Sequence, residues 1–113
     1  MHELSIAQEI IEQTISIAKD NNMKSINLVH LKIGKLMQVV PDILEFNFNS
    51  LKENTICEMA NLTYEIVTIT INCHNCYKVS EIQEMNFICP HCQSFEIETK
   101  SGSDIIIEKI QGE

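Results

Sequence analysis

Two short cysteine pairs constrain this 113-residue chain more than any other feature of its sequence. Cys73 and Cys76 are separated by two residues, as are Cys89 and Cys92, and twelve residues lie between the pairs. Two such turns on neighbouring hairpins can place four thiolates about 2.3 Å from one ion, in the tetrahedral arrangement that zinc prefers. Because protein sulfurs then fill every coordination position, the pattern predicts a structural zinc with no open site for a substrate.

Two other chemistries fit the same spacing. The sulfurs could form one redox disulfide within each pair, or together hold iron in a rubredoxin-type site. Redox chemistry is disfavoured, since neither pair is expected to open a helix after a strand, where a lowered thiol pKa would arise. His74 and His91 lie inside the pairs and are expected to be solvated turn residues, although exchange with a thiolate ligand is a sharper hypothesis. Cys57 has no cysteine or histidine near it in sequence and is expected in the core.

The charge of the chain restricts its partners. Eight lysines, no arginine and sixteen acidic residues give a net charge of −8. Contact with a phosphate backbone needs clustered basic residues, so nucleic acid and anionic membranes are excluded, and cations or basic protein surfaces are favoured. No apolar run is long enough to cross a bilayer and no secretory signal is recognisable, so we expect a cytoplasmic protein. An odd number of cysteines argues against a closed set of disulfides, and paired cysteines in a reducing compartment more often bind metal.

Hydrophobic periodicity predicts a two-layer α+β fold. Ser5 and Gln8 fit a capping box at the start of the first helix, and a turn is expected at 101–103. The predicted elements are a helix from residues 4–6 to 20–22, a strand at 25–34, a helix from Pro41 to 53–55, a strand at 62–71, a strand over 95–99 and a largely buried strand at 104–110.

The four cysteines lie in a segment with few large apolar residues, whereas both flanking segments are rich in Ile, Leu and Val. We therefore predict one α/β domain formed by 1–69 together with 102–113, with two helices on a small sheet. Residues 70–101 are predicted to form an inserted zinc-binding domain. Zinc binding contributes on the order of 10 kcal/mol, which can fold a lobe too small to have a core of its own.

The first three residues form a second candidate metal site. The large side chain of His2 is expected to prevent removal of Met1. The terminal amine, the His2 imidazole and the amides of His2 and Glu3 offer four nitrogens in a plane, which suits Ni(II) or Cu(II) better than zinc. Glu3 could add an oxygen ligand or a hydrogen bond to the imidazole. By itself, a histidine at position 2 is usually a frayed and solvated residue. His30 is a weaker candidate for metal binding, and we expect it to be a partly exposed structural residue.

Several stretches match the pattern of one known family. They are Met1–Ser5, Val29–Gly34 with the following Leu36, Val40-Pro41, Leu44–Phe48 and Glu58–Leu62. With the two cysteine pairs at the expected distance, the chain resembles the HypA/HybF family of hydrogenase maturation factors over essentially its whole length.

This resemblance implies a nickel metallochaperone, not an enzyme. Members deliver Ni(II) to the large subunit of [NiFe]-hydrogenases, working with the GTPase HypB, and some also feed urease maturation. The resemblance implies nickel binding by His2 and the Met1 amine with Glu3 beside them, in an α/β domain of two helices on a three-stranded sheet. Histidines follow the cysteine pairs in some relatives but lie within them here, so no histidine coupling of the two metal sites is implied. The implied zinc ligands are Cys73, Cys76, Cys89 and Cys92.

Two other functions compete with this interpretation. A zinc-ribbon module of a larger complex would keep the zinc and lack nickel transfer, but the segment 70–100 carries a net charge of −2 (two lysines against four glutamates), which opposes nucleic-acid contact. A thiol oxidoreductase would need a nucleophile–base pair or an open metal site, and the sequence indicates neither. A monomer or a weak homodimer is expected.

Overall fold

The computed structural model describes residues 2–83 and 86–113, and of His2 only the backbone. This part of the chain has the predicted α+β class, and neither of its α-helices is long and apolar enough to span a membrane. A 3₁₀ turn at Lys35–Met37 follows the first strand. The elements are α1 (His2–Asp20), β1 (Ile26–Gly34), α2 (Pro41–Leu51), β2 (Asn61–Val67), β3 (Ile69–Cys73), β4 (Val79–Ile82), β5 (Ile97–Ser101) and β6 (Ile105–Gly112).

The first compact unit contains the chain up to Leu31, together with 39–64 and 106–113. Its two helices contact each other, and the strands of its sheet have the order β2-β1-β6. Apolar side chains recur at helical spacing in both helices, so each helix buries one face. The buried residues are Ala7, Ile10, Ile11, Thr14 and Ala18 in α1, Leu44 and Phe48 in α2, and Ile26, Val29 and Leu31 in β1.

The second compact unit contains 32–38 and 65–105. Its sheet has the order β4-β3-β5, and both outer strands run antiparallel to β3. Alternate residues of β3 are buried, as a strand with one covered face requires. The resulting core is small, with Ile69, Ile71 and Ile82 buried and Leu36 and Ile97 partly buried. Because β3 ends at Cys73, the sheet carries the first cysteine pair directly.

Both helices were predicted, with errors at their ends. α1 ends at Asp20 as expected but begins at His2, so Ser5 lies inside the helix and the capping box with Gln8 is wrong. α2 begins at Pro41 as expected but ends at Leu51, earlier than predicted. The chain then turns, and Asn54 has a φ of +63°, which a right-handed helix does not allow.

The single strand predicted at 62–71 is wrong in its extent. The chain forms two strands, β2 and β3, which belong to different sheets and are separated at Thr68. The Ser101 hydroxyl donates to the Thr68 carbonyl oxygen at 3.2 Å, so the carbonyl at the break is paired outside the ladder. Since the alternation of side chains continues across the break, periodicity alone could not reveal it.

The last strand was predicted to be largely buried, which is wrong. Ile106 is 49% exposed, and the other isoleucines of β6 are half-buried. As an edge strand, β6 has a neighbour on one side only. The short strand β4 was not predicted, whereas the strand after the second cysteine pair was. The division into a nickel-binding domain (1–69 with 102–113) and a zinc-binding domain (70–101) stays a prediction.

Two glycines make a close backbone contact in the second unit. A Cβ atom added at Gly34 would lie 2.4 Å from both the carbonyl carbon and oxygen of Gly102. The Leu36 N–H donates to the same oxygen at 2.9 Å. Gly102 itself has a φ of +88°, which favours glycine. No side chain fits at either position without moving the backbone.

We expect Gly34→Ala to lower the free energy of unfolding by about 2–3 kcal/mol, because the new methyl group forces two backbone segments apart. Urea denaturation of the zinc-loaded protein, followed by circular dichroism, measures the change. Ser103→Ala is the matched control at an exposed position and should stay within about 0.5 kcal/mol of the wild type. Equal stability of Gly34→Ala and wild type would contradict the close contact.

Candidate metal centres

The structure brings the four paired cysteines together around one point. The Sγ atoms of Cys73 and Cys92 are 3.6 Å apart, as are those of Cys76 and Cys89. All four sulfurs lie within 4.8 Å of one another. A tetrahedral site with metal–sulfur bonds of 2.3 Å has sulfurs about 3.8 Å apart, whereas a disulfide needs about 2.05 Å. All four cysteines are free thiols, and their spacing fits one zinc ion.

Both cysteine pairs lie in loops with the same backbone geometry. The Cys73 N–H donates to the Lys78 carbonyl and the Tyr77 N–H donates to the Cys73 carbonyl, each at 3.0 Å. The loop Cys89–Ser94 repeats both bonds at 3.0 and 2.9 Å. The residue after each pair, Tyr77 or Gln93, has a positive φ of 61° or 65°. The repeated spacing in the sequence therefore produces a repeated loop that presents two sulfurs to one point.

Hydrogen bonds to sulfur make the four thiols unequal. The Asn75 side-chain amide donates to the Cys92 Sγ at 3.4 Å, and with the Ser94 backbone N–H it lowers the pKa of Cys92 to about 6. For Cys76, the hydrogen bond from the Lys78 backbone lowers the pKa, but desolvation and the neighbouring thiols outweigh it and raise the pKa to about 11. A bound cation therefore has to displace a proton from the cluster.

The other histidines and the fifth cysteine lie where the sequence predicted. His74 and His91 are exposed turn residues, and the His74 Nε2 is 3.1 Å from a Glu98 carboxylate oxygen. Cys57 is fully buried in the first unit, and desolvation raises its pKa. His30 is half-buried in β1, with its Nδ1 2.7 Å from the Thr63 hydroxyl, which fits a structural residue. Ligand exchange by His74 or His91 stays a hypothesis.

Two of the predicted nickel residues, His2 and Glu3, are the first residues of α1. Met1 and the side chain of His2 are outside the described residues, so the structure reports here on the His2 backbone and on Glu3. The half-buried Glu3 lies in the first turn of α1, and its Oε2 accepts a hydrogen bond of 3.0 Å from the Val40 N–H. Sequence reasoning missed this contact, because a backbone donor 37 residues away leaves no signal in the side-chain pattern.

Comparison with known proteins identifies the family. A family model described as "Hydrogenase/urease nickel incorporation, metallochaperone, hypA" matches residues 1–112. The chain belongs to the HypA family. The hydrogenase maturation factor HypA of Aquifex aeolicus is 40% identical over 111 residues, covering 98% of this chain and 96% of the relative. That of Shewanella baltica strain OS195 is 34% identical over 113 residues, covering 100% of this chain and 97% of the relative. The predicted family is thus confirmed.

Solved HypA structures share the fold. The solution structure of the Ni metallochaperone HypA from Helicobacter pylori has a TM-score of 0.77 at 20% identity and covers 97% of this chain and 96% of its own. A second solution structure of HypA protein has a TM-score of 0.76 at 21% identity, with coverages of 99% and 96%. At these identities the likeness concerns the fold alone, and it agrees with the α+β class. HypA proteins are nickel metallochaperones of hydrogenase maturation, which is the function class that the resemblance implied.

Cys57 lies in the core of the first unit, whereas the four clustered thiols lie in two loops that we expect to loosen once metal is removed. Alkylation after metal removal should therefore distinguish them. After chelation of metal under native conditions, we expect iodoacetamide to modify the four clustered cysteines and leave Cys57 intact, since its thiol is inaccessible and has a raised pKa. Mass spectrometry should show four adducts, and five after denaturation in urea. Zinc-loaded protein is the control and should show few adducts. Early modification of Cys57 would contradict its burial.

Proposed function

We propose that this HypA protein binds Ni(II) at its N-terminus and delivers it to the large subunit of a [NiFe]-hydrogenase, together with the GTPase HypB. A structural zinc held by Cys73, Cys76, Cys89 and Cys92 stabilises its second unit. The observation that carries the proposal is the family match over residues 1–112, which includes the N-terminal motif. We place the protein in the cytoplasm, as a monomer or a weak homodimer, and urease maturation proteins are further candidate recipients.

The four-sulfur cluster supports a structural role for zinc. Its sulfur separations of 3.6 Å are near those of a tetrahedral site. The core cluster of the second unit is small, with three buried isoleucines, so the unit needs a further source of stability. Zinc binding supplies on the order of 10 kcal/mol. Four protein sulfurs leave no coordination position for a substrate, which separates this ion from the nickel cargo.

The position of α1 favours nickel at its first residues. Because α1 begins at His2, the amides of His2 and Glu3 are among the first N–H groups of the helix, which have no acceptor within it. Binding nickel through these two nitrogens, once deprotonated, therefore breaks no helical hydrogen bond. Their two negative charges also balance Ni(II) at a helix end where the dipole would disfavour a bare cation. The imidazole and the terminal amine complete a planar set of nitrogens.

A carrier has to release its ion, and a terminal planar site allows this. One face of the plane stays open to ligands of an acceptor protein, and the terminal residues can rearrange. We therefore expect micromolar affinity, about −8 kcal/mol. The net charge of −8 favours acceptors with a basic surface.

The nickel ligands can be tested by calorimetric titration of Ni(II) into untagged, zinc-loaded protein. We expect wild type to bind one equivalent and His2→Ala to bind none, with zinc content and thermal stability unchanged, because the imidazole is the only side-chain nitrogen of the site. An N-terminal extension of several residues that lacks histidine should have the same effect, since it converts the terminal amine into an amide far from any free amine.

The matched control is His91→Ala, which removes an exposed histidine beside the cysteine cluster and should leave nickel binding as in the wild type. Equal nickel binding by His2→Ala and wild type would refute the N-terminal site. Loss of binding in His91→Ala alone would move the nickel to the cysteine-containing unit.

A further inference from the structure

The first turn of α2 lacks a capping side chain of its own. Val40 is the N-cap residue and makes no side-chain cap hydrogen bond. The next residue, Pro41, has no N–H to offer. The Val40 carbonyl does close the first turn, accepting from the N–H groups of Ile43 and Leu44 at 3.1 and 3.0 Å. The positive end of this helix is therefore open to an anion from elsewhere in the chain.

The carboxylate of Glu3 supplies that anion. Its Oε2 is 3.0 Å from the Val40 nitrogen, which is an ordinary length for a hydrogen bond between an amide and a charged acceptor. The negative charge also lies where the dipole of α2 favours it. Glu3 belongs to the first turn of α1, so this one bond ties the starts of both helices together.

Such a tie changes what the N-terminus can do as a chelator. The first residues of a chain are usually poorly ordered unless something fixes them. A chelate built from residues 1–3 loses affinity if those residues must first be ordered, because the lost conformational entropy is subtracted from the binding free energy. Holding Glu3 in place reduces that cost before nickel arrives.

We propose that the first turn of α2 is part of the nickel site, with the Val40 N–H as the positioning group that holds Glu3 and, through it, the start of α1. This inference rests on the proposed N-terminal nickel site. It follows that moving the first turn of α2 away from Glu3 weakens nickel binding without touching a nickel ligand. The nickel affinity is then set by two helices rather than by a free terminus.

Val40→Pro tests the inference because it deletes the N–H and leaves Glu3 in place. The backbone of Val40, with φ −89° and ψ 107°, is close to the range that proline adopts. The side chain is 47% exposed, so replacing it opens no core cavity. Val40→Ala keeps the N–H and is the matched control.

In calorimetric titration with Ni(II), we expect Val40→Pro to bind about tenfold more weakly than wild type, which corresponds to the loss of one charge-assisted hydrogen bond. Release of nickel to a chelator should accelerate by a similar factor. Val40→Ala should stay within about twofold of wild type, and zinc content and helical circular dichroism should be unchanged in both.

A double-mutant cycle guards against a merely structural effect of the proline. Glu3→Ala removes the acceptor, so adding Val40→Pro to it should weaken nickel binding no further. A nickel-independent readout is the amide proton resonance of Val40. In nickel-free, zinc-loaded protein it should shift as the Glu3 carboxyl is protonated, and it should not shift in Glu3→Gln.

Equal affinities of Val40→Pro and Val40→Ala, with normal nickel binding by wild type, would overturn this inference alone. Additive effects of Val40→Pro and Glu3→Ala on nickel affinity would also overturn it. A Val40 amide resonance that does not shift when the Glu3 carboxyl is protonated would overturn it as well. Absence of N-terminal nickel binding in the wild type would instead refute the proposed function.

Discussion

Four sulfur atoms that have to surround one ion determine the arrangement of the second unit. Its sheet buries a few isoleucines, and its first cysteine is the last residue of β3. The two loops that carry the sulfurs have the same hydrogen bonds and the same positive φ after the second cysteine. The two loops therefore have the same conformation because each has to direct two sulfurs at the same metal position. A closed set of four sulfurs stabilises structure and leaves nothing to exchange.

The first unit meets a different requirement. Its core consists of helical and strand residues that bury apolar surface without a metal. Its start is held by a carboxylate at the uncapped end of a second helix, the bond between Glu3 and Val40. An ion bound at such a terminus has neighbours on one side and solvent on the other. A structural zinc ion and a transported nickel ion would thus occupy sites that differ in ligand type, in geometry and in how completely the protein encloses them.

Much of the fold could be predicted because local patterns and tertiary structure agree. The turn-forming residues at 20–22 predicted the end of α1, and the proline at position 41 predicted the start of α2. The errors arose where a contact between residues far apart in the sequence determines where an element begins or ends. α1 begins at His2, where Glu3 bonds to a residue far along the chain, and the strand predicted at 62–71 is divided at Thr68, whose carbonyl is taken by Ser101.

In the candidate sites, too, local sequence patterns were predictive and contacts between distant residues were not. The spacing of the four cysteines was enough to predict their cluster, because ligand geometry restricts the chain so strongly. The N-terminal residues alone were ambiguous, and the family pattern carried their interpretation. The hydrogen bond from Asn75 to Cys92 and the contact of Val40 were not predicted, since both depend on how loops and helix ends meet.

The central claim is that one chain holds two metals in two chemically distinct sites. X-ray absorption at the zinc and nickel edges of the same untagged, doubly loaded sample tests it most directly. The zinc spectrum should show four sulfurs at about 2.3 Å, and the nickel spectrum should show only nitrogen and oxygen neighbours in a planar arrangement. Sulfur in the nickel shell, with a correspondingly incomplete set of sulfurs around zinc, would contradict the claim.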